Sequence, residues 1–140
     1  MKYIDLGLPS VTLWSDTDYN ETGRIYYPCT EIPPKLILPT SNQFTELLAF
    51  CNFYPADNHV ICKGPNGNHI RFNYNGWCFP DSTKADCVGH AGYYWSSDVL
   101  PQGGRNILSV RKWEVFPYIW GNLQFSIREV YNNPTPITIF

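Results

Sequence analysis

Charge is scarce in this sequence. Only 16% of its 140 residues are Asp, Glu, Lys or Arg, and ten basic residues against twelve acidic ones leave a formal net charge of −2. That balance creates no basic field to draw the chain to phosphate backbones or anionic lipid, and Arg111-Lys112 is the one adjacent basic pair. Nucleic acid is therefore not an expected partner. No run of 18 apolar residues is present, so no membrane-spanning helix and no membrane insertion are expected. Asp5 interrupts the apolar core that a secretory leader would need, so no leader is expected either.

Chemical signatures are equally sparse. The five cysteines, Cys29, Cys51, Cys62, Cys78 and Cys87, cannot all pair within one chain, and none forms a C-x-x-C. Their spacings match no zinc pattern, so no metal site is expected. Free buried thiols acting as small hydrophobes are the favoured reading, with one or two disulfides as the alternative. Free thiols suit assembly in a reducing cytoplasm. The serine-nucleophile pattern G-x-S-x-G, the zinc-protease pattern H-E-x-x-H and the phosphate-loop pattern are all absent. His59 and His69 flank a predicted hairpin and could face each other across it, but no third ligand suggests itself. Asp16-x-Asp18-x-Asn20 begins like a calcium loop, yet Glu21 occupies the position that requires glycine, and Tyr27 the closing carboxylate. No cofactor and no enzymatic activity are expected.

Aromatic residues make up 16% of the chain, with twelve prolines and ten glycines. That profile suits one compact domain rich in turns. One helix is well marked. Thr40 can cap it, Gln43 completes a capping box, and Phe44, Leu47, Leu48 and Cys51 fall on a single stripe, with Asn52 and Pro55 closing it. His59 to Lys63 and residues 70–74 alternate as strands, and Asn66-Gly67 suggests a type I′ turn between them. Thr12-Leu13-Trp14 reads as a short early strand. Residues 75–92 read as an irregular loop. Residues 107–116 and 123–130 read as two further strands, joined as a second hairpin around Tyr118-Ile119-Trp120.

Several short segments then occur in a fixed order. They are Asp5-Leu6-Gly7-Leu8-Pro9-Ser10 with Thr12-Leu13-Trp14; Leu38-Pro39-Thr40; Gly64-Pro65-Asn66-Gly67-Asn68; Tyr94-Trp95-Ser96-Ser97; and Phe125-Ser126-Ile127-Arg128-Glu129-Val130. Together they resemble the Fibrobacter succinogenes major paralogous domain, a C-type-lectin-like module of Bacteroidetes and their phages. The resemblance runs from about Tyr3 to Val130. It implies an α+β fold spanning residues 1–140 as a single C-type-lectin-like domain. One or two helices would lie on a small, twisted, mainly antiparallel sheet with long loops. Residues 132–140 would be a C-terminal extension. The chain departs from the family at Val11, where glycine is usual, and at Glu129, where proline is usual. Residues 29–39 lack the usual aromatic-glycine text. The acidic-proline loops and Trp-Asn-Asp strand that hold calcium in C-type lectins are absent, so the resemblance implies the fold without that sugar site.

The functional expectation is a non-enzymatic virion module of a phage, namely a capsid decoration, head-fibre or tail-fibre tip. It would bind a host surface glycan or protein, or neighbouring virion proteins, and would be assembled in the host cytoplasm. A bacterial cell-surface adhesion or glycan-binding domain is the alternative. In some members of this type the C-terminal half is diversified, and residues 98–122 would be the matching region. The aromatic surface there makes Arg111, Trp113, Tyr118, Trp120 and Asn122 the candidate ligand-binding residues, with core packing as the competing role for the rings. The uncharged, β-prone tail makes Ile137, Ile139 and Phe140 candidates for a subunit interface in a homo-oligomer.

Overall fold

The computed structural model describes residues 2–80, 82, 84–118 and 122–132. Trp120, Ile137, Ile139 and Phe140 lie outside the described residues.

The helix α1 (Ser41–Phe50) forms where the sequence marks it. Gln43 N–H donates to Thr40 Oγ1 at 3.0 Å, and Thr40 N–H donates to Gln43 Oε1 at 2.9 Å, so the capping box is complete. Phe44 and Leu47 are fully buried, a gain of about 1.5–3 kcal/mol each. The helix stops one residue earlier than the stripe suggests. Cys51 is the C-cap in extended conformation, and its N–H still reaches Leu47 O. Asn52, expected to close the helix, instead opens strand β3 (Asn52–Pro55), an edge strand. An edge is where a strand tolerates proline.

Among the described residues, three three-stranded sheets and one two-stranded ladder surround the helix. The first joins β1 (Tyr3–Asp5), β2 (Leu13–Ser15) and β11 (Val130–Tyr131), with β2 in the middle and antiparallel to both neighbours. The second joins β3 to β4 (His59–Lys63) and β5 (His69–Asn73), all antiparallel. The third joins β8 (Gly92–Val99), β9 (Arg105–Val110) and β10 (Glu114–Tyr118), also antiparallel. A small ladder of β6 (Trp77–Cys78) and β7 (Ala85–Asp86) lies within the stretch expected to be irregular. The fold is therefore α+β, one helix on antiparallel sheets. Isolated bridges knit the sheets together, two of them parallel, Gly76 to Gly92 and Tyr94 to Ser126. Gly92 also lets β8 start close to the end of β5: a Cβ there would stand 2.5 Å from Asn73 O.

Three expectations are corrected. The β4–β5 turn is not type I′, which needs positive φ at both central residues. Pro65 and Asn66 are the central residues of a turn closed by Gly67 N–H to Gly64 O, and only Gly67 takes positive φ, at 91°. Pro65 has the fixed negative φ that such a turn wants at its first central position. Second, residues 107–116 are not one strand. Ser109 pairs with Glu114, and the chain reverses through Arg111-Lys112-Trp113. Third, residues 123–130 do not pair with β10. Gln124, Phe125 and Ser126 bridge to Cys78, Tyr27 and Tyr94 respectively. Gln124 to Arg128 are all buried, so this segment runs through the interior with both faces covered.

The core has two parts. One packs Trp14, Phe44, Leu47, Val60, Cys62, Phe72, Tyr94 and Val130, drawn from α1 and from all three three-stranded sheets. The other packs Tyr27, Leu38, Trp95, Ile107, Phe125 and Ile127 behind the third sheet. Trp95 is fully buried, and its indole N–H donates to Tyr27 O at 2.7 Å. All five cysteines are free. The buried Cys62 thiol is pushed upward, first by its hydrogen bond to Cys51 and then by burial, which keeps it a thiol at neutral pH.

Candidate binding site

A polar cluster lies inside the protein. Arg128, fully buried, donates to Asp18 Oδ1, to Ser15 O at 3.2 Å and to Arg71 O, and its guanidinium lies 4.5 Å from the Phe72 ring centroid. Asp18 Oδ2 accepts from Asn75 at 2.8 Å, Tyr94 at 3.1 Å and Asn73 at 3.2 Å. Burial pushes the Tyr94 hydroxyl well above its ordinary value, and the Asp18 carboxylate adds to this. Nearly every polar atom here has a protein partner, so the cluster reads as a packed strut rather than a reaction centre. Among the described residues, no three His, Cys, Asp or Glu side chains converge as a metal site would need. His59 and His69 lie at opposite ends of the β4–β5 hairpin, paired with Asn73 and Lys63, so they do not face one another.

Two surface clefts among the described residues take in candidate residues. The first holds about 330 Å³ and is lined by Pro55, Asp57, Tyr74, Gly89, Arg111 and Trp113. The β9–β10 turn builds it. Arg111 and Trp113 both adopt positive φ, 114° and 57°, which is rare for residues with a Cβ. Trp113 N–H to Ser109 O at 2.9 Å, and Arg111 Nη1 to His90 O at 2.9 Å, hold the turn in place. The half-buried Trp113 ring packs on Phe53 with centroids 4.2 Å apart. Phe50 and Tyr54, on neighbouring segments, are half exposed.

The second cleft holds about 750 Å³ between the loop carrying Arg24 to Glu31, residues Pro80 and Ser82, and residues Asn122 and Gln124. Its lining is Arg24, Pro28, Thr30, Glu31, Pro80, Ser82, Asn122 and Gln124. A smaller recess of about 150 Å³ shares Pro28, Thr30 and Asn122 with it and reaches Trp95, Tyr118 and Leu123.

The candidate ligand-binding residues are thus divided. Arg111 and Trp113 share the first cleft, while Asn122 lines the second and Tyr118 its adjoining recess. Strand β10 runs between the two groups. Tyr118 is half-buried, packs edge-on against Trp95 and Phe125, and accepts a hydrogen bond from Leu123 N–H at 3.2 Å. Sequence reasoning did not single out Asp57, Tyr74, Thr30, Glu31 or Gln124. They come from separate stretches that only the fold brings together, and no local motif marks them.

No family model matches the chain, and no curated protein or solved structure matches it either.

Proposed function

We infer that this chain is a C-type-lectin-like binding module, non-enzymatic, belonging to the virion of a phage of Bacteroidetes. It serves as a capsid decoration, head-fibre or tail-fibre tip and engages a host surface ligand or neighbouring virion subunits. The family resemblance gains support from Val11. The family usually carries glycine at this position, and Val11 has the positive φ, 56°, that a glycine would take without strain. Trp14, Trp95 and Arg128, all within the resembling segments, are fully buried, as framework residues of a shared fold would be.

The observation that carries the binding reading is the Arg111–Trp113 turn. Two side-chain-bearing residues held at positive φ cost free energy that the fold must absorb, of order 1–3 kcal/mol each. The turn uses that strain to hold a guanidinium and an indole at the mouth of one cleft. Arginine and tryptophan are the side chains that most often dominate binding energy at interfaces.

The test is binding of the purified chain to envelope fractions of Bacteroidetes cells and to purified virions, with light scattering for its native mass. Replacing Trp113 with Ala is expected to weaken capture tenfold or more, since such anchors contribute about 2 kcal/mol or more. Capture of neither material, or capture indifferent to both Trp113→Ala and Arg111→Ala, would overturn the reading. Capture by cells alone would favour the host-ligand role, and capture by virions alone the subunit-binding role.

A further inference from the structure

We propose that the second cleft, between Pro28–Glu31 and Asn122–Gln124, is a binding site for a short neutral saccharide. The proposal rests on the reading of this chain as a binding module and places a ligand of stated chemistry on a different face from the Arg111–Trp113 turn.

The volume comes first. About 750 Å³ falls within the range of sites that take small ligands, roughly 300–1,000 Å³. The lining then narrows the chemistry. Asn122, Gln124, Thr30 and Ser82 supply both donors and acceptors, which matches sugar hydroxyls, each of which also donates and accepts. Among the described lining residues Arg24 is the basic group, and Glu31 pairs with it. Its Nη2 donates to Glu31 Oε1 at 2.9 Å, its Nε donates to Tyr26 O at 3.0 Å, and the guanidinium lies 4.6 Å from the Tyr27 ring centroid. A paired, pre-positioned arginine beside its own carboxylate gives no net attraction for phosphate or a carboxylate ligand. It offers a fixed row of donors and acceptors to a neutral one.

Gln124 points the same way. Its residue is about nine-tenths buried, and its Nε2 donates to Phe79 O at 2.9 Å. That bond fixes the amide and leaves Oε1 as a held acceptor; no donor reaches it among the described residues. Asn122 and Thr30 likewise make no side-chain hydrogen bond among the described residues. Gln124 Oε1, on a buried residue, is the built acceptor, and the exposed Asn122 and Thr30 side chains are open to a ligand beside it. Apolar surface is also present. Pro28 and Pro80 form walls, and the recess toward Tyr118 and Leu123 offers about 150 Å³ for a C–H face or a methyl-bearing substituent.

The probe is an array of immobilised neutral oligosaccharides, followed by calorimetry with the strongest binder in soluble form. Glu31→Gln, Thr30→Val and Asn122→Ala change exposed side chains and are expected to leave the fold intact, checked by an unchanged thermal midpoint. Each is expected to weaken the saccharide about three- to tenfold, the range of single hydrogen bonds. Trp113→Ala is expected to leave saccharide affinity unchanged. Binding of no array member would overturn the proposal. So would a saccharide whose affinity is lost in Trp113→Ala but kept in all three cleft variants. That last outcome would leave the binding-module reading standing and move its sugar site to the first cleft.

Discussion

The Arg128 guanidinium closes on the Asp18 carboxylate across 110 positions of sequence, with both side chains removed from solvent. The same arginine reaches the carbonyls of Ser15 and Arg71, and the same aspartate holds Asn73, Asn75 and Tyr94. One ion pair therefore ties β2 and the segment after it to β5, to β8 and to the buried stretch before β11. A planar fork with five donors can satisfy this set of acceptors; a lysine cannot.

Removing one partner of that pair strands the other. Arg128→Met is expected to lose about 3–5 kcal/mol in urea denaturation, and Arg128→Lys to recover little of it. A loss below about 1 kcal/mol would show that the cluster is not what joins the sheets.

Val11 is a branched residue in the left-handed region, where its Cβ costs about 1–2 kcal/mol. Glycine avoids this cost but adds freedom to the unfolded chain, about 0.5–1 kcal/mol. Val11→Gly is expected to be net stabilising by about 0.5–1 kcal/mol, visible as a higher thermal midpoint. A lower midpoint would mean that Val11 packing outweighs the strain.

The capping box at Thr40 gives a simpler expectation. Thr40→Ala removes the acceptor for Gln43 N–H and should cost about 1 kcal/mol in chemical denaturation. Since Gln43 Nε2 also donates to Asn132 at 2.7 Å and to Thr12 at 3.2 Å, the reciprocal change Gln43→Ala should cost at least as much.

Glu129 predicts a pH dependence. Burial raises its carboxyl above the ordinary 4.5, with Lys35 partly offsetting the effect. The folded state then keeps a proton that the unfolded chain releases sooner. The contribution is fully present below the ordinary value and is lost as pH rises through the raised one. Compared with wild type, Glu129→Gln should gain relative stability between about pH 4 and about pH 7, measured by denaturation at each pH. A constant difference across that range would rule out the shift.

The elements that could be read from sequence are those whose signals are local. Thr40 and Gln43 announce the helix start because the box is made by residues three apart. The β4–β5 hairpin is visible because its alternation breaks at Gly64 and resumes after Asn68. The β9–β10 turn was hidden for the opposite reason. Arg111-Lys112-Trp113 contains no glycine, proline or asparagine, so the alternation on both sides reads as one strand. The reversal depends on positive φ at residues that seldom adopt it. Strand β8 is obscured by burial on both faces, which erases the period-two contrast between inside and outside, whereas residues 123–130 read as a strand whose partners, Cys78, Tyr27 and Tyr94, no local signal marks. Arg128 is the extreme case, a charged residue at the centre of the core. The clefts could not be read at all, because each draws its lining from several separate stretches.

The β1–β2–β11 sheet has a mechanical consequence. Strands β1 and β11 both run opposite to β2, hence parallel to each other, and Tyr3 packs on Tyr131 with ring centroids 5.7 Å apart. A pull applied between the two outer strands, backward on β1 and forward on β11, acts along the strand axes. The hydrogen bonds to β2 lie across that direction and share the load in shear instead of opening one after another. Both clefts are lined by residues outside this sheet. A load carried through these two strands would reach the three short strands before the turns that line the two clefts.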